Sequence, residues 1–207
     1  MSTISTAPSV QASAEISAIV LAAGKGARFD PTGQRYKLLQ PLPDGRSVIR
    51  ASCEAMLASL GTATVVCGAR MEDVRAALSG LRVNIVHCAD ADAGMGASIR
   101  CGMAGQAPEL GWLMMLGDMP FVRPSTVQEV IQSLREGALI ARPFYEGKPG
   151  HPVAFSAALD AELRGCDPSV GLQQVIQRHA SQVRRIHVDD GGCVRDIDRP
   201  ADLSHIT

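Results

Sequence analysis

Short apolar runs alternate with segments of helical spacing along most of this chain, and no other feature constrains the fold as strongly. The run ISAIVLA at residues 16–22 is rich in branched aliphatic residues and ends at glycines, which predicts a buried strand. Residues 47–60 have helical spacing, with Ser47 at the start and Gly61 after the end. The same reasoning predicts strands at residues 62–67, 83–87, 112–116, 138–142, 153–155 and 183–188, and helices at residues 72–79, 95–105, 124–135, 157–164, 171–179 and 200–205.

This alternation predicts an α/β fold in which helices cover a doubly wound, mostly parallel sheet with right-handed crossovers. The chain has 207 residues and no linker rich in Pro, Gly and Ser after residue 15, so we expect one domain over residues 16–207. Residues 1–15 are small and polar and lack the basic start and apolar core of a signal peptide. We expect them to form a disordered leader.

Composition narrows the classes of partner. The formal net charge is −1, which gives no support for a general affinity for nucleic acid, because proteins that bind it present a basic face. No apolar stretch reaches the length of a membrane span. None of the 6 cysteines forms a C-x-x-C pair, and Cys53 and Cys67 lie in apolar runs, as expected of buried thiols. Such thiols suit a reducing compartment, so we expect a cytoplasmic location.

A carboxylate follows the strand predicted at residues 112–116. In doubly wound sheets, ligands bind beyond the carboxyl ends of the strands, which here places a site at the loops after Ala22, His87 and Leu116. Asp118 lies in the last of these loops, and a carboxylate at the rim of a core is costly unless a cation or donor meets it. Mg²⁺ beside substrate phosphates is such a cation. The alternative, a cap for the helix at Pro124, places Asp118 several residues too early.

The segment LAAGKGAR, residues 21–28, directly follows the first predicted strand. Its small residues let backbone N–H groups approach an anion, and Arg28 and Lys37 supply positive charge. The pattern is neither G-x-G-x-x-G nor a Walker loop. An ordinary glycine-rich turn between a strand and a helix explains it equally well.

Three further segments carry polar groups. GMGAS at residues 94–98 places Ser98 in the first turn of a helix, which suits a ligand at the helix N-terminus or a plain cap. Asp196 and Asp198 point to the same side of an extended segment, where one of them completes a metal site with Asp118, or Asp198 caps the helix that begins at Pro200. His151, held between a glycine and a proline, is either a substrate contact or proton donor, or a solvated loop histidine.

Together these segments resemble the molybdenum cofactor nucleotidyltransferases, specifically the cytidylyltransferase branch. LAAGKGAR with Lys37 downstream resembles that family's LAAG-x-S-x-R with its later Lys, GMGAS its G-M-x-x-S, and LGDMP its G-D-M-P. PGHPVAF resembles its G-H-P-V-x-F, and DIDRPADL its D-I-D-T-P-E-D-L. The matches run in family order from residue 16 to residue 203. The sister guanylyltransferases open with LAGG, so Ala23 points to CTP over GTP.

The resemblance implies a Rossmann-like fold of the nucleotide-diphospho-sugar transferase type and Mg²⁺ as cofactor. It implies transfer of CMP from CTP to the terminal phosphate of molybdopterin, with a molybdoenzyme or chaperone as a possible client. Carried over by position, it implies that Arg28, Lys37 and Asp118 are catalytic and that Asp118 and Asp198 bind metal. His151 is assigned to the pterin substrate. The nucleotide-binding residues implied are Leu21, Ala22, Ala23, Gly24, Gly26, Arg28, Lys37, Ser98, Gly117 and Asp118.

The chain departs from this family's pattern at four places. Eight residues separate Arg28 from Lys37, so that loop is longer than is common in the family. Gly26 stands where the branch usually has Ser, and Cys88 where an Asn usually follows the third strand. Residues 165–171 match the family's G-D-x-G-x-R only loosely, and the Arg is missing. Two other functions therefore stay open: a cytidylyltransferase of the methylerythritol-phosphate type, which also opens with LAAG-x-G-x-R, and a nucleotide-binding regulator without catalysis.

Overall fold

The computed structural model of the chain describes residues 15–203, which form an eight-stranded sheet with helices on both faces. The strands are β1 (Ile16–Ala22), β2 (Ala63–Cys67), β3 (Val83–His87), β4 (Gly111–Leu116), β5 (Ile140–Tyr145), β6 (Lys148–Pro149), β7 (Val153–Ser156) and β8 (Val183–His187). The helices are α1 (Val48–Leu57), α2 (Met71–Ala77), α3 (Met95–Met103), α4 (Pro124–Arg135), α5 (Asp160–Arg164) and α6 (Leu172–Arg178). The predicted α/β class and mostly parallel sheet are confirmed.

The strand order is β3-β2-β1-β4-β7-β5-β6, with β8 paired to β5. Strands β1 to β4 pair in parallel, as do β5 and β8, whereas β7 lies antiparallel between β4 and β5. Val153 pairs with Met114 near the end of β4. The antiparallel direction of β7 therefore brings residues 150–152 to the carboxyl edge of the parallel strands, where the predicted site lies.

Burial on both faces explains the continuous apolar runs of the central strands. All five residues of β2 are buried, as expected of a strand covered on both sides rather than of one with a solvated face. Val20 and Val65 pack in a core that includes residues of α1, α2 and α4. Ile19 and Val66 pack on the other side, in a core that includes residues of α3, α5 and α6.

Most predicted strands and helices are present, and they differ from the prediction mainly in the residues at which they begin and end. The strand predicted at residues 138–142 is wrong in its bounds, since β5 continues through Pro143 to Tyr145 and turns into the unpredicted β6. Pro143 has no N–H to donate, but its carbonyl accepts from Gly150 N at 2.8 Å. The helix predicted at residues 157–164 opens with a 3-10 turn at Ala157–Leu159.

The ends of the described region touch two predictions. Residues 1–14, most of the predicted leader, lie outside it, whereas the Glu15 carbonyl accepts from Leu110 N at 2.8 Å and its carboxylate pairs with Arg135. Of the helix predicted at residues 200–205, the described part is the 3-10 turn Pro200–Leu203. Within residues 15–203, no helix combines the length and apolar character needed to cross a membrane.

Candidate active site

A cavity of about 440 Å³ opens at the carboxyl edge of the sheet, where the loops after β1, β3 and β4 meet. These are the three loops at which the sequence predicted a ligand site. The segment that ends the described chain closes the cavity from the side. The lining residues are Leu21, Ala22, Ala23, Gly24, Gly26, Ala27, Arg28, Phe29, Lys37, Leu38, Ala91, Gly94, Met95, Ser98, Leu116, Asp118, Asp196 and Asp198.

The glycine-rich loop after β1 is held in place by hydrogen bonds on one side and faces the open cavity on the other. The buried Tyr36 hydroxyl donates to the Ala22 carbonyl at 2.9 Å, and burial raises the pKa of this phenol. Gly26 has a φ of 67°, and its carbonyl accepts from Phe29 N at 2.9 Å. A Cβ built on Gly24 would meet no atom within 4 Å, so this backbone faces free space. The loop therefore presents exposed backbone that an anionic ligand can approach closely.

Three carboxylates converge at the mouth of this loop. One ligand oxygen each from Asp118, Asp196 and Asp198 lies within 4.8 Å of the others. Between the two later aspartates, Ile197 is buried and its N–H donates to the Asp118 carbonyl at 2.9 Å, which fixes the segment against the end of β4. Burial, followed by repulsion from Asp198 and Asp118, raises the pKa of Asp196.

Two basic side chains contact this acidic cluster. Lys37 Nζ lies 2.5 Å from Asp118 Oδ2 and 3.5 Å from Asp198 Oδ1, and Arg28 reaches Asp198 Oδ2 at 2.5 Å. The ammonium of Lys37 is thus the cation that meets Asp118. The other oxygen of that carboxylate, Oδ1, is buried and has no hydrogen-bond partner.

The donor set fits a divalent cation. It consists of carboxylate oxygens, which Mg²⁺ and similar hard cations prefer, and one of them is unsatisfied. Lys37 supplies a positive charge at the same place. Asp118 and Asp198, the two predicted ligands, are brought together, and Asp196 joins them.

The Asp198 carboxylate pairs with Arg28 and lies near Lys37, which favours a role in the acidic cluster over the alternative role as a helix cap. The Asp202 carboxylate accepts from Asp198 N at 2.9 Å and from Arg199 N at 2.6 Å. The Asp198 carboxylate instead faces the cavity.

The start of α3 is partly covered. Gly96 N donates to the Pro168 carbonyl at 3.0 Å, and a Cβ on Gly94 would lie 2.2 Å from that same oxygen. Both glycines are needed because the backbone of residues 165–171 passes directly over them. Ser98 is buried and lines the cavity, as predicted, but the N–H of Gly96 is already occupied.

Gly117, one of the predicted nucleotide-binding residues, does not line the cavity. Gly117 donates its N–H to the Leu21 carbonyl at 2.9 Å, and a Cβ there would lie 2.7 Å from Ile49 Cδ1. Its small size serves packing rather than the approach of a ligand. Cys88, at the position of the family's Asn, is also buried outside the cavity lining.

His151 also lies outside this lining. Its backbone N–H donates to the Cys193 carbonyl at 2.8 Å, and its ring bonds to the Met114 backbone while the buried Nδ1 has no partner. Burial, reinforced by Arg142, lowers the pKa of His151 to about 4, so the ring is neutral at pH 7. Its contact with an acceptor stays a prediction.

Sequence reasoning missed Met95 and Ala91 as lining residues. Both lie in the loop and helix start after β3, so the rule that loops at one sheet edge converge was the signal for them. Asp196 was considered but not chosen over Asp198.

Several proteins of known structure resemble this chain along nearly its whole length. The crystal structure of Rv0371c from Mycobacterium tuberculosis is 28% identical over 93% of this chain and 97% of that chain, with a TM-score of 0.77. A second Rv0371c structure, 29% identical with a TM-score of 0.73, is a complex with manganese and covers 93% of this chain and 100% of that one. A nucleotidyl transferase from Methanothermobacter thermautotrophicus is 26% identical over 92% of this chain and 94% of that chain, with a TM-score of 0.77.

No functionally curated protein matches the sequence. The MobA-like NTP transferase domain, in contrast, matches residues 18–183, which is most of the chain and runs from within β1 to the start of β8. The cavity, its anchored glycine-rich loop and its acidic cluster all lie on this frame, so the chain belongs to the MobA-like NTP transferase family and is a nucleotidyltransferase.

Proposed function

We propose that this enzyme transfers CMP from CTP to the terminal phosphate of a molybdopterin-type cofactor and releases pyrophosphate. The observation that carries the proposal is the convergence of Arg28, Lys37 and three carboxylates on the open loop after β1. Such a site suits a polyphosphate with a divalent ion. The proposed ion is Mg²⁺, held by Asp118 and Asp198 with Asp196.

The chemistry follows from the charges. An oxygen of the acceptor phosphate forms a bond to the α-phosphorus of CTP, and the bond from that phosphorus to the oxygen of the leaving pyrophosphate breaks. Both reactants are anions, so Arg28 and Lys37 lower the barrier by holding the charge of the triphosphate. When bound, Mg²⁺ adds further neutralisation of that charge. The reaction needs no nucleophile from the protein.

Ala23 supports the choice of base. It lines the cavity in the loop whose sequence separates the cytidylyl branch from the guanylyl branch. A methyl group at this position reduces the space beside the base, which favours the smaller cytosine. The proposed acceptor rests on the PGHPVAF and DIDRPADL resemblances and on the family.

A second candidate acceptor is methylerythritol phosphate. Gly26 lines the cavity at the place where that cytidylyltransferase family also has Gly. A 4-diphosphocytidyl-2C-methyl-D-erythritol synthase from Anaerococcus prevotii shares the fold, with a TM-score of 0.67, but at 16% identity it argues for nothing beyond the fold.

The test is release of pyrophosphate by the purified enzyme. The enzyme is incubated with Mg²⁺, with each of the four NTPs in turn, and with molybdopterin or 2C-methyl-D-erythritol 4-phosphate. Rapid turnover with the pair CTP and molybdopterin, and with no other pair of NTP and acceptor, supports the proposal. Turnover with the erythritol phosphate would transfer the assignment to the second candidate. If CTP binds but no acceptor gives turnover above that of an Asp118→Ala variant, the proposed reaction is wrong.

A further inference from the structure

The cavity of about 440 Å³ described above is called the nucleotide cavity, because the proposed function places CTP there. A second cavity, of about 240 Å³, lies beside β5, β8 and α6 and shares no lining residue with it. Two arginines line it, Arg142 from β5 and Arg185 from β8. Helix α6 contributes Gln173 and Gln177. We call this cavity the arginine pocket.

The two arginines are direct neighbours. Arg142 and Arg185 are paired Cα positions in the parallel ladder between β5 and β8, so their side chains leave the sheet on the same face. Like charges directly opposite each other in a sheet are destabilising. The fold therefore holds two positive charges side by side, one half-buried on Arg142 and one exposed on Arg185.

No carboxylate of the described residues offsets them. Arg142 donates Nε–H to the Gly150 carbonyl at 2.8 Å, and the Arg185 guanidinium lies 4.0 Å from the centre of the Phe144 ring. Within residues 15–203, no ion pair joins either arginine to an acid, and no acidic side chain lines the pocket. Burial lowers the pKa of Arg142, which reflects the poor solvation of this charge.

The next arginine along β8 shows what a merely structural arginine does in this fold. Arg184 leaves the sheet on the opposite face, where it donates to the Ser133 carbonyl at 3.2 Å and pairs with Glu136 at 3.0 Å. Its charge is neutralised locally, in contrast to that of Arg185. It serves as a matched control, because it lies on the same strand and carries the same charge.

We propose that the arginine pocket binds a phosphate group of a small molecule, at a site separate from the nucleotide cavity. Guanidinium groups offer paired N–H donors that match phosphate oxygens, and the amides of Gln173 and Gln177 add neutral donors. The phosphate has two possible sources: a phosphate-bearing part of the acceptor, or a free phosphate compound that binds independently of the reaction. The first of these rests on the proposed function.

Helix α6 links the two cavities. A Cβ on Gly171, just before α6, would lie 3.2 Å from Met95 Cβ, and Met95 lines the nucleotide cavity. Gln173 in the first turn of α6 and Gln177 in the second both line the arginine pocket. The start of α6 therefore contacts a residue of the nucleotide cavity and also lines the arginine pocket, an arrangement that suits a pocket for part of a second substrate.

The direct test is a titration of the whole chain with inorganic phosphate, followed through the ¹⁵N–¹H signals of the arginine Nε groups. We expect the signals of Arg142 and Arg185 to shift with one dissociation constant. Loss of a charge-assisted contact in Arg185→Gln should weaken phosphate binding, followed at Arg142, about tenfold or more. Arg184→Gln should leave the constant within about twofold, since an exposed pair elsewhere contributes little. Arg185→Gln is the primary variant because Arg185 is exposed, whereas replacing the half-buried Arg142 risks disturbing the fold.

Three results would overturn the proposal: no shift of either signal at phosphate concentrations that shift Arg28, equal weakening by Arg184→Gln and Arg185→Gln, or the same shifts with chloride at equal ionic strength.

A kinetic arm identifies the source of the phosphate. If Arg185→Gln raises the KM for the acceptor about tenfold while the KM for CTP is unchanged, the pocket holds the acceptor. If phosphate binding is lost and both KM values are unchanged, the pocket takes a free phosphate compound. The titration needs neither CTP nor acceptor, so it shows whether the arginine pocket binds phosphate even if the proposed reaction is wrong.

Discussion

Replacing Lys37 with methionine removes the ammonium from the acidic cluster and keeps most of the side chain's length. The Lys37 and Asp118 side chains are only 11% and 14% exposed, so their contact is a largely buried ion pair. Removing one partner of such a pair typically costs roughly 3–5 kcal/mol, and we take about 3 kcal/mol because the cluster opens into a cavity. In metal-free buffer, the free energy of unfolding should fall by that amount.

The same change should strengthen the binding of a divalent ion in the absence of nucleotide. Lys37 Nζ lies 2.5 Å from Asp118 Oδ2, so a metal that binds this oxygen has to displace the ammonium. If removal of the ammonium relieves a competition worth about 3 kcal/mol, the affinity for metal rises about a hundredfold. The affinity for CTP should fall, because the triphosphate loses a cationic partner.

Two measurements test this reasoning. Binding of Mn²⁺, followed by electron paramagnetic resonance without nucleotide, gives the affinity for metal, and urea unfolding with and without Mn²⁺ shows whether the metal restores the lost stability. Lys25→Met is the control, since Lys25 pairs with Asp92 at a site where both side chains are more than two-thirds exposed, and such pairs contribute little. A Lys37→Met variant that binds Mn²⁺ no more tightly than the wild type would refute the competition.

Three further predictions concern single residues. Asp118→Ala should abolish turnover, at a cost of several kcal/mol of transition-state stabilisation, and keep its circular dichroism spectrum; near-wild-type rates with Mg²⁺ would contradict a metal role. Ala23→Gly should lower the ratio of kcat/KM for CTP to that for GTP, and an unchanged ratio would place base choice elsewhere. His151 has a pKa of about 4 instead of 6.5, so the unfolded state binds more protons between these values, and the free energy of unfolding should fall by about 3 kcal/mol as the pH drops from 6.5 to 4. His151→Gln should lose that part of the pH dependence in urea titrations, and equal slopes for the two proteins would show that the histidine is not buried in its neutral form.

The predictable part of the fold is the part that local pattern determines. The bounds of β1 and α4 agree with the prediction, since glycines end the first and a proline begins the second. The antiparallel direction of β7 was not predicted, yet the sequence contained the signal. Only seven residues separate Tyr145 from Val153, too few for the crossover that a parallel neighbour requires.

The site was predictable where the sheet topology decides it. Asp118 follows β4, and the rule that ligands bind at the carboxyl edge placed it correctly beside the loop after β1. The contact of Lys37 with Asp118 joins residues 81 positions apart, and no local pattern reveals it. The packing role of Gly117 was missed for a similar reason. Ile49, which Gly117 contacts in the fold, belongs to a helix far away in the sequence.

The charges at the cavity would couple the binding of the proposed metal ion to that of the proposed nucleotide. Three carboxylates face two basic side chains, Lys37 and Arg28, which leaves one negative charge uncompensated and Asp118 Oδ1 without a partner. A triphosphate that arrives alone meets the carboxylates, and a divalent ion that arrives alone meets Lys37. If both bind, the three carboxylates would hold the ion and Lys37, no longer paired with Asp118, would be free to contact the phosphates, so each charge would gain an opposite partner. We therefore expect each ligand to tighten the binding of the other, and by linkage the factor by which the metal tightens nucleotide binding should equal the factor by which the nucleotide tightens metal binding.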